Sequence, residues 1–151
     1  MLELLDLKEH EVFLPQYVAL RNSYIELLLT DPVTVGETEQ WIRSSDVEIL
    51  IAVENGLLQG AVLLYMERSG EIAFFAREQC RGIGTKLLYL IETVARARGI
   101  SEIWAWVRED NPIAQRVFEK IGYHFFGRIE RSHRGNIVTG IKYTKKITEQ
   151  I

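Results

Sequence analysis

The chain has 151 residues, of which 47% are hydrophobic and 26% charged, with a formal net charge of −3. Such a composition excludes a disordered chain and argues against general nucleic-acid binding. Domains of roughly 100–150 residues are commonest, so residues 1–151 read as one domain with room for a sizeable core.

No apolar run reaches the roughly 18–20 residues that span a bilayer. The acidic start MLELLDLKEHE does not read as a signal peptide, so a cytoplasmic protein with no membrane partner is expected. Cys80 is the single cysteine, and His10, His124 and His133 are scattered without metal-ligand spacing, so no metal site is expected. The two halves differ in charge. Residues 1–76 carry 13 acidic and 4 basic side chains, a net of −9, whereas residues 77–151 carry 8 and 14, a net of +6. That asymmetry points to partners of opposite sign, or to two solvated faces.

Leu2 to Leu7 reads as a first strand. Apolar residues then recur with a helical period from Val12 to Leu29, and Asp31-Pro32 is expected to end that helix. Thr34-x-x-Glu37 is a capping box, opening a second helix to about Arg43. Val47 to Val53 is a strand, Asn55-Gly56 a hairpin turn, and Leu57 to Glu67 the return strand, with Gly60 marking a bulge. Glu71 to Ala76 is the third strand of this meander. Ile83, Leu87, Leu90, Ile91, Val94 and Ala95 form one stripe of a long helix that Gly99 caps. Ile103 to Val107 is a strand, and Asn111-Pro112 opens a helix that Gly122 ends. Two closing strands flank Arg134-Gly135-Asn136. The order β-α-α-β-β-β-α-β-α-β-β implies a mixed α/β (α+β) fold, a central sheet with helices on its faces.

The segment Gln79-Cys80-Arg81-Gly82-Ile83-Gly84-Thr85 joins a strand to the start of the long helix. Glycines there let backbone N–H groups approach a ligand, and the helix end adds a positive dipole, which suits a pyrophosphate. A Walker A loop is excluded, because the required Gly-Lys pair is absent. A dinucleotide fingerprint is disfavoured, because Leu87 stands at its third glycine. The pattern Q/R-x-x-G-x-G/A is met at every fixed position. It resembles the coenzyme A signature of the GNAT superfamily of N-acetyltransferases. About 30 residues on, Asn111, Ala114, Phe118 and Lys120-Ile121-Gly122-Tyr123 are similar to that superfamily's second motif, and the order of elements is similar to its order.

The resemblance implies a GNAT fold with acetyl-CoA as co-substrate. The pyrophosphate would lie on the amides of Cys80, Arg81, Gly82, Ile83, Gly84 and Thr85, in the loop that Gln79 opens. The pantetheine would pair with Phe74, Phe75 and Ala76 and touch Asn111. Arg77, Arg81, Lys86 and Arg116 are the local cations. Glu71 corresponds to the general base of histone acetyltransferases, and apolar strand neighbours would raise its pKa. Phe118 occupies the position where the family commonly has a Tyr acid. Tyr123, Tyr89 or water would then protonate the thiolate, or it leaves unassisted, and Tyr123 is preferred. Glu26, Asp31 and Asp110 are fallback carboxylates. Trp104 and Trp106 share a strand face, read as packing under a helix, with an acceptor-site wall as the alternative.

The expected activity is therefore acetyl transfer to a primary amine of a small molecule or peptide. The alternatives are a non-catalytic acyl-CoA-binding protein and a protein N-terminal or lysine acetyltransferase. Acceptors in this superfamily lie against the first helices, here roughly residues 21–43, and the acidic first half fits a cationic acceptor. A homodimer stays open.

Overall fold

The computed structural model describes residues 1–77 and 82–148. Among these, seven strands form one sheet: β1 (Leu2–Asp6), β2 (Val47–Glu54), β3 (Leu57–Tyr65), β4 (Glu71–Ala76), β5 (Glu102–Arg108), β6 (His124–His133) and β7 (Asn136–Lys146). Their spatial order is β1-β2-β3-β4-β5-β7-β6. Neighbours are antiparallel except β4 and β5, which are joined by the crossover helix α4 (Ile83–Ala97) and run parallel. Helices α1 (Leu14–Asn22), α2 (Ile25–Leu28) and α3 (Val35–Ser44) precede the meander, and α5 (Pro112–Lys120) follows β5.

The central strands β2, β3 and β4 are buried on both faces. Alternate residues of β2 point opposite ways: Leu50 and Ala52 join the core under α4 and α5, while Ile49 and Ile51 join the core under α1 and α3. That is why residues 47–53 read as an unbroken apolar run rather than an alternating one. Phe74 and Phe75 divide in the same way, Phe74 towards α5 and Phe75 towards α1.

Local signals form as the sequence dictates. Thr34 Oγ1 accepts the Glu37 N–H at 3.1 Å and Glu37 Oε1 accepts the Thr34 N–H at 3.0 Å, so both halves of the capping box are made. Asn55 and Gly56 turn the first hairpin with φ of 52° and 76°. The bulge falls beside Gly60 rather than on it. Ala52 faces Gly60 while Val53 faces Leu58, which leaves Gln59 as the extra residue. Gly60 has a different reason: a Cβ there would stand 2.9 Å from the Phe75 carbonyl oxygen.

The expected first helix over residues 12–29 is broken. A 3₁₀ turn over Glu11–Phe13 leads into α1, and the chain kinks at Ser23-Tyr24 before the single turn of α2. Long-range contacts outweigh the helical period here. Asn22 clamps the Val33 backbone with two hydrogen bonds of 2.9 and 3.0 Å, and the Tyr24 ring stacks 6.0 Å from that of Phe75. The last turn ends at Leu28, three residues before Asp31, with Leu29 in the left-handed conformation at φ 55°.

One ion pair lies inside the core. Glu92 of α4 is 3% exposed and meets Lys145 of β7 at 3.0 Å, while Lys145 also donates to the Ile121 carbonyl at 2.8 Å. Removing one partner strands a buried charge, at a cost of about 3–5 kcal/mol. Lys145→Met is therefore expected to lower the melting temperature by roughly 6–20 °C. Adding Glu92→Leu is expected to restore most of that loss in a thermal denaturation series.

Candidate active site

Strands β4 and β5 pair through only two positions, Glu71 with Trp104 and Ile72 with Ala105. Beyond Ile72 they part, and a cleft opens between them. Ala73, Phe74 and Ala76 form one side, and Trp106 and Val107 the other. The α4 N-terminus closes one end with Gly82, Gly84 and Thr85, and α5 contributes Asn111, Ala114 and Phe118. The Tyr24 hydroxyl lines the cleft and donates to the Ala76 carbonyl.

The two motif glycines do different work. Gly82 sits at φ 74°, a left-handed conformation that L side chains rarely adopt. Gly84 is needed for a close approach of helix to strand: a Cβ there would lie 2.7 Å from Cε2 of Phe74. Phe74 in turn packs edge-on against Phe118, with centroids 5.4 Å apart. No side chain among the described residues caps α4. The first N–H groups of an uncapped helix lack intrahelical partners and, with the helix dipole, attract an anion.

Asn111 lines the cleft while its side-chain oxygen accepts the Ala114 N–H at 3.3 Å, so it caps α5. Gly82, Gly84, Thr85, Phe74, Ala76, Asn111 and Phe118 are thus brought together, whereas the Ile83 side chain packs in the core. Phe75 faces the opposite side of the sheet. Gln79, Cys80 and Arg81 lie outside the described residues. Lys86 and Arg116 are exposed, and Arg77 donates to the Leu58 carbonyl at 3.3 Å.

A second cavity, of about 450 Å³, lies on the other face of β4. Leu63 and Tyr65 of β3 with Glu71, Ala73 and Phe75 of β4 form its floor, and α1, α3 and the loop between α2 and α3 wall it. Leu28, Ala73 and Trp106 line both spaces, so cleft and cavity meet there. Trp106 is held flat over Gly140, where a Cβ would be 2.1 Å from its ring, and its indole N–H donates to the Ile129 carbonyl at 2.9 Å. Packing under a helix was expected for both tryptophans. Trp106 instead lines both the cleft and the second cavity, and Trp104 lines a shallow neighbouring recess while donating to the Arg68 carbonyl.

Glu71 opens into the second cavity and is 4% exposed. The expected apolar surroundings are replaced by two guanidiniums: Arg68 at 3.2 Å from Oε1 and Arg131 at 2.9 Å from Oε2. Tyr123 is not brought to this site. It is 3% exposed, lines neither space, and donates to Glu92 at 3.2 Å. Burial and the Glu92 carboxylate push its pKa far up, so its proton is tightly held. Among the fallback carboxylates, Glu26, Asp31 and Asp110 are all exposed and none lines the cavity. Nor is the wall acidic as the first half suggested, because Arg21, Arg68 and Arg131 all line it. Those arginines come from separate elements at no fixed spacing, so no sequence signal joins them.

Residues 13–123 match the model of the acetyltransferase (GNAT) family. The chain belongs to this family. Its fold is similar to that of yncA from Salmonella typhimurium, solved with its cofactor acetyl-CoA, at a TM-score of 0.81 and 16% identity over 99% of this chain and 95% of that one. It is also similar to a ribosomal-protein-alanine N-acetyltransferase from Brucella melitensis, at a TM-score of 0.79 and 19% identity over 97% and 99%. A 46-residue stretch is 39% identical to the [ribosomal protein bS18]-alanine N-acetyltransferase of Haemophilus ducreyi, covering 30% of this chain and 32% of that relative. The matched stretch is thus about a third of the curated relative's length.

Within this GNAT fold the glycine contacts make a direct prediction. Gly84→Ala forces the Phe74 ring aside, and such overpacking costs about 1–3 kcal/mol. Gly36→Ala, in α3 with nothing within 4 Å of the added Cβ, is expected to stabilise by up to about 1 kcal/mol. Urea titrations of the two variants, side by side, check the opposite signs.

Proposed function

We propose that this chain is an acetyl-CoA-dependent N-acetyltransferase acting on a primary amine of a small molecule or peptide. The observation that carries the reading is the junction at Ala73, where a cleft suited to an extended cofactor meets a separate, roomier cavity. Acetyl-CoA supplies a thioester whose acetyl group an unprotonated amine can take. The uncapped α4 N-terminus and its glycines would hold the pyrophosphate. The edge of β4 from Ala73 to Ala76 is not paired with β5 and would bind the pantetheine arm through its backbone.

Glu71 is the carboxylate on the cavity floor, and it is proposed as the group that takes the ammonium proton. Arg68 and Arg131 orient it. Glu37, the other carboxylate on the wall, is exposed and held in its capping box. Phe118 has no proton to give, Tyr123 is committed to Glu92 and the Tyr24 hydroxyl in the cleft to the Ala76 carbonyl, so the thiolate leaves unassisted or takes its proton from water. A thiol pKa near 8.5 makes that tolerable. The Brucella and Haemophilus relatives, by name, act on ribosomal-protein alanine, which supports a peptide amine as one acceptor class. Phe118 also favours a second reading, an acyl-CoA-binding protein without turnover.

Release of coenzyme A from acetyl-CoA in the presence of an amine panel separates the two. Turnover supports transfer, and tight acetyl-CoA binding with no release from any amine supports the second reading. With Glu71→Gln, turnover is expected to fall by about 10²–10⁴ at neutral pH and to recover in part at high pH, where free amine is abundant. A loss below threefold would assign the proton to water or another carboxylate.

A further inference from the structure

The second cavity is built for more than an amine. Three guanidiniums line it, but Arg68 and Arg131 already share Glu71. Arg21 pairs with no carboxylate among the described residues. Its donors go to neutral oxygens, Thr30 Oγ1 at 2.9 Å, the Asp31 carbonyl at 2.8 Å and Asn22 Oδ1 at 3.3 Å. The Tyr65 phenol lies within electrostatic reach of Arg21, Arg68 and Arg131 together, so the three positive charges converge on one region.

One turn before Arg21, on the same face of α1, stands Tyr17. It is fully buried and lines the cavity, and its hydroxyl has no hydrogen-bond partner among the described residues. A buried hydroxyl without a partner is costly, and native structures rarely keep one without a reason. An oxyanion in the cavity would accept from both the Tyr17 hydroxyl and the Arg21 guanidinium. An ammonium could donate to the Tyr17 oxygen but would be repelled by Arg21, so an oxyanion is the group that serves both side chains at once.

The cavity is also strapped. Leu29, Thr30 and Val33 of the α2–α3 loop line it, and Asp31 in that loop pairs at 2.7 Å with Arg134 in the β6–β7 turn. A pinned loop over the cavity favours an acceptor small enough to lie inside it.

Resting on the acetyl-transfer reading above, we propose that the acceptor is a small amine bearing an oxyanion beside the amine, an α-amino acid or close analogue. Tyr17 and Arg21 on the α1 wall hold its carboxylate, and the amine lies towards Glu71 and Ala73 on the β4 floor.

The test is calorimetric titration, with and without coenzyme A, of the twenty L-α-amino acids, their amides and a set of pentapeptides. At least one free acid is expected to bind ten or more times tighter than its amide and than any pentapeptide. Tyr17→Phe and Arg21→Gln are each expected to erase most of the acid-over-amide preference. Tyr17→Phe should do so without lowering the melting temperature, because the hydroxyl loses no protein partner. Equal binding of acid and amide, no binding of any amino acid, or an unchanged preference in folded Tyr17→Phe would overturn the proposal. A pentapeptide that binds as well as the free acid would do the same. Release of coenzyme A on the same compounds reports the transfer reading separately. Acid-selective binding without release upholds the anion site and removes the activity.

Discussion

The separation of β4 from β5 after two paired residues is the constraint on which the rest of the site depends. A parallel pair needs a crossover, and the crossover helix begins where β4 ends. The α4 N-terminus is thereby delivered to the mouth of the gap. Its axis must come close to β4, and Gly84 against Phe74 is what that closeness requires. On the far side, β5 cannot collapse into the gap, because β7 pairs along its whole length and Gly140 gives Trp106 a flat seat. The cleft is a consequence of topology and of two glycines, with side chains chosen to fit around it.

The two faces of β4 carry the two halves of the proposed chemistry. A strand alternates its side chains, so Phe74 faces the cofactor-side cleft while Glu71, Ala73 and Phe75 face the acceptor-side cavity. Ala73 is small enough to let the two spaces communicate. Arginine gathers on the acceptor side although the first half of the chain is acidic. Net charge by segment describes the solvated surface, where Glu26 and Asp31 are exposed, whereas the cavity lining sets Arg21, Arg68 and Arg131 against only Glu37 and Glu71.

Local signals made most of the fold legible in the sequence. The capping box at Thr34, the Asn55-Gly56 turn, the apolar stripe of α4 and the Asn111-Pro112 helix start each depend on residues a few positions apart. The glycine loop and the Asn111–Tyr123 segment marked the family on the same grounds. Where the reading failed, the cause was a contact across the fold. The first helix breaks because Asn22 and Tyr24 engage Val33, Phe75 and Ala76. Tyr123 turns inward because Glu92, 31 residues earlier, takes its hydroxyl. The second cavity draws Tyr17, Tyr65, Trp106 and three arginines from distant segments, and no spacing rule links them.

We propose that the open edge of β4 receives the cofactor's extended arm as a further strand would. Backbone amide hydrogen exchange of Phe74 and Ala76, whose N–H groups face the cleft while those of Ala73 and Phe75 face β3, tests it with and without saturating acetyl-CoA. Exchange at these two amides is expected to slow by at least tenfold on binding, because backbone facing a cleft gains a hydrogen-bonded partner. Unchanged exchange there, in a protein shown to be saturated with acetyl-CoA, would contradict it.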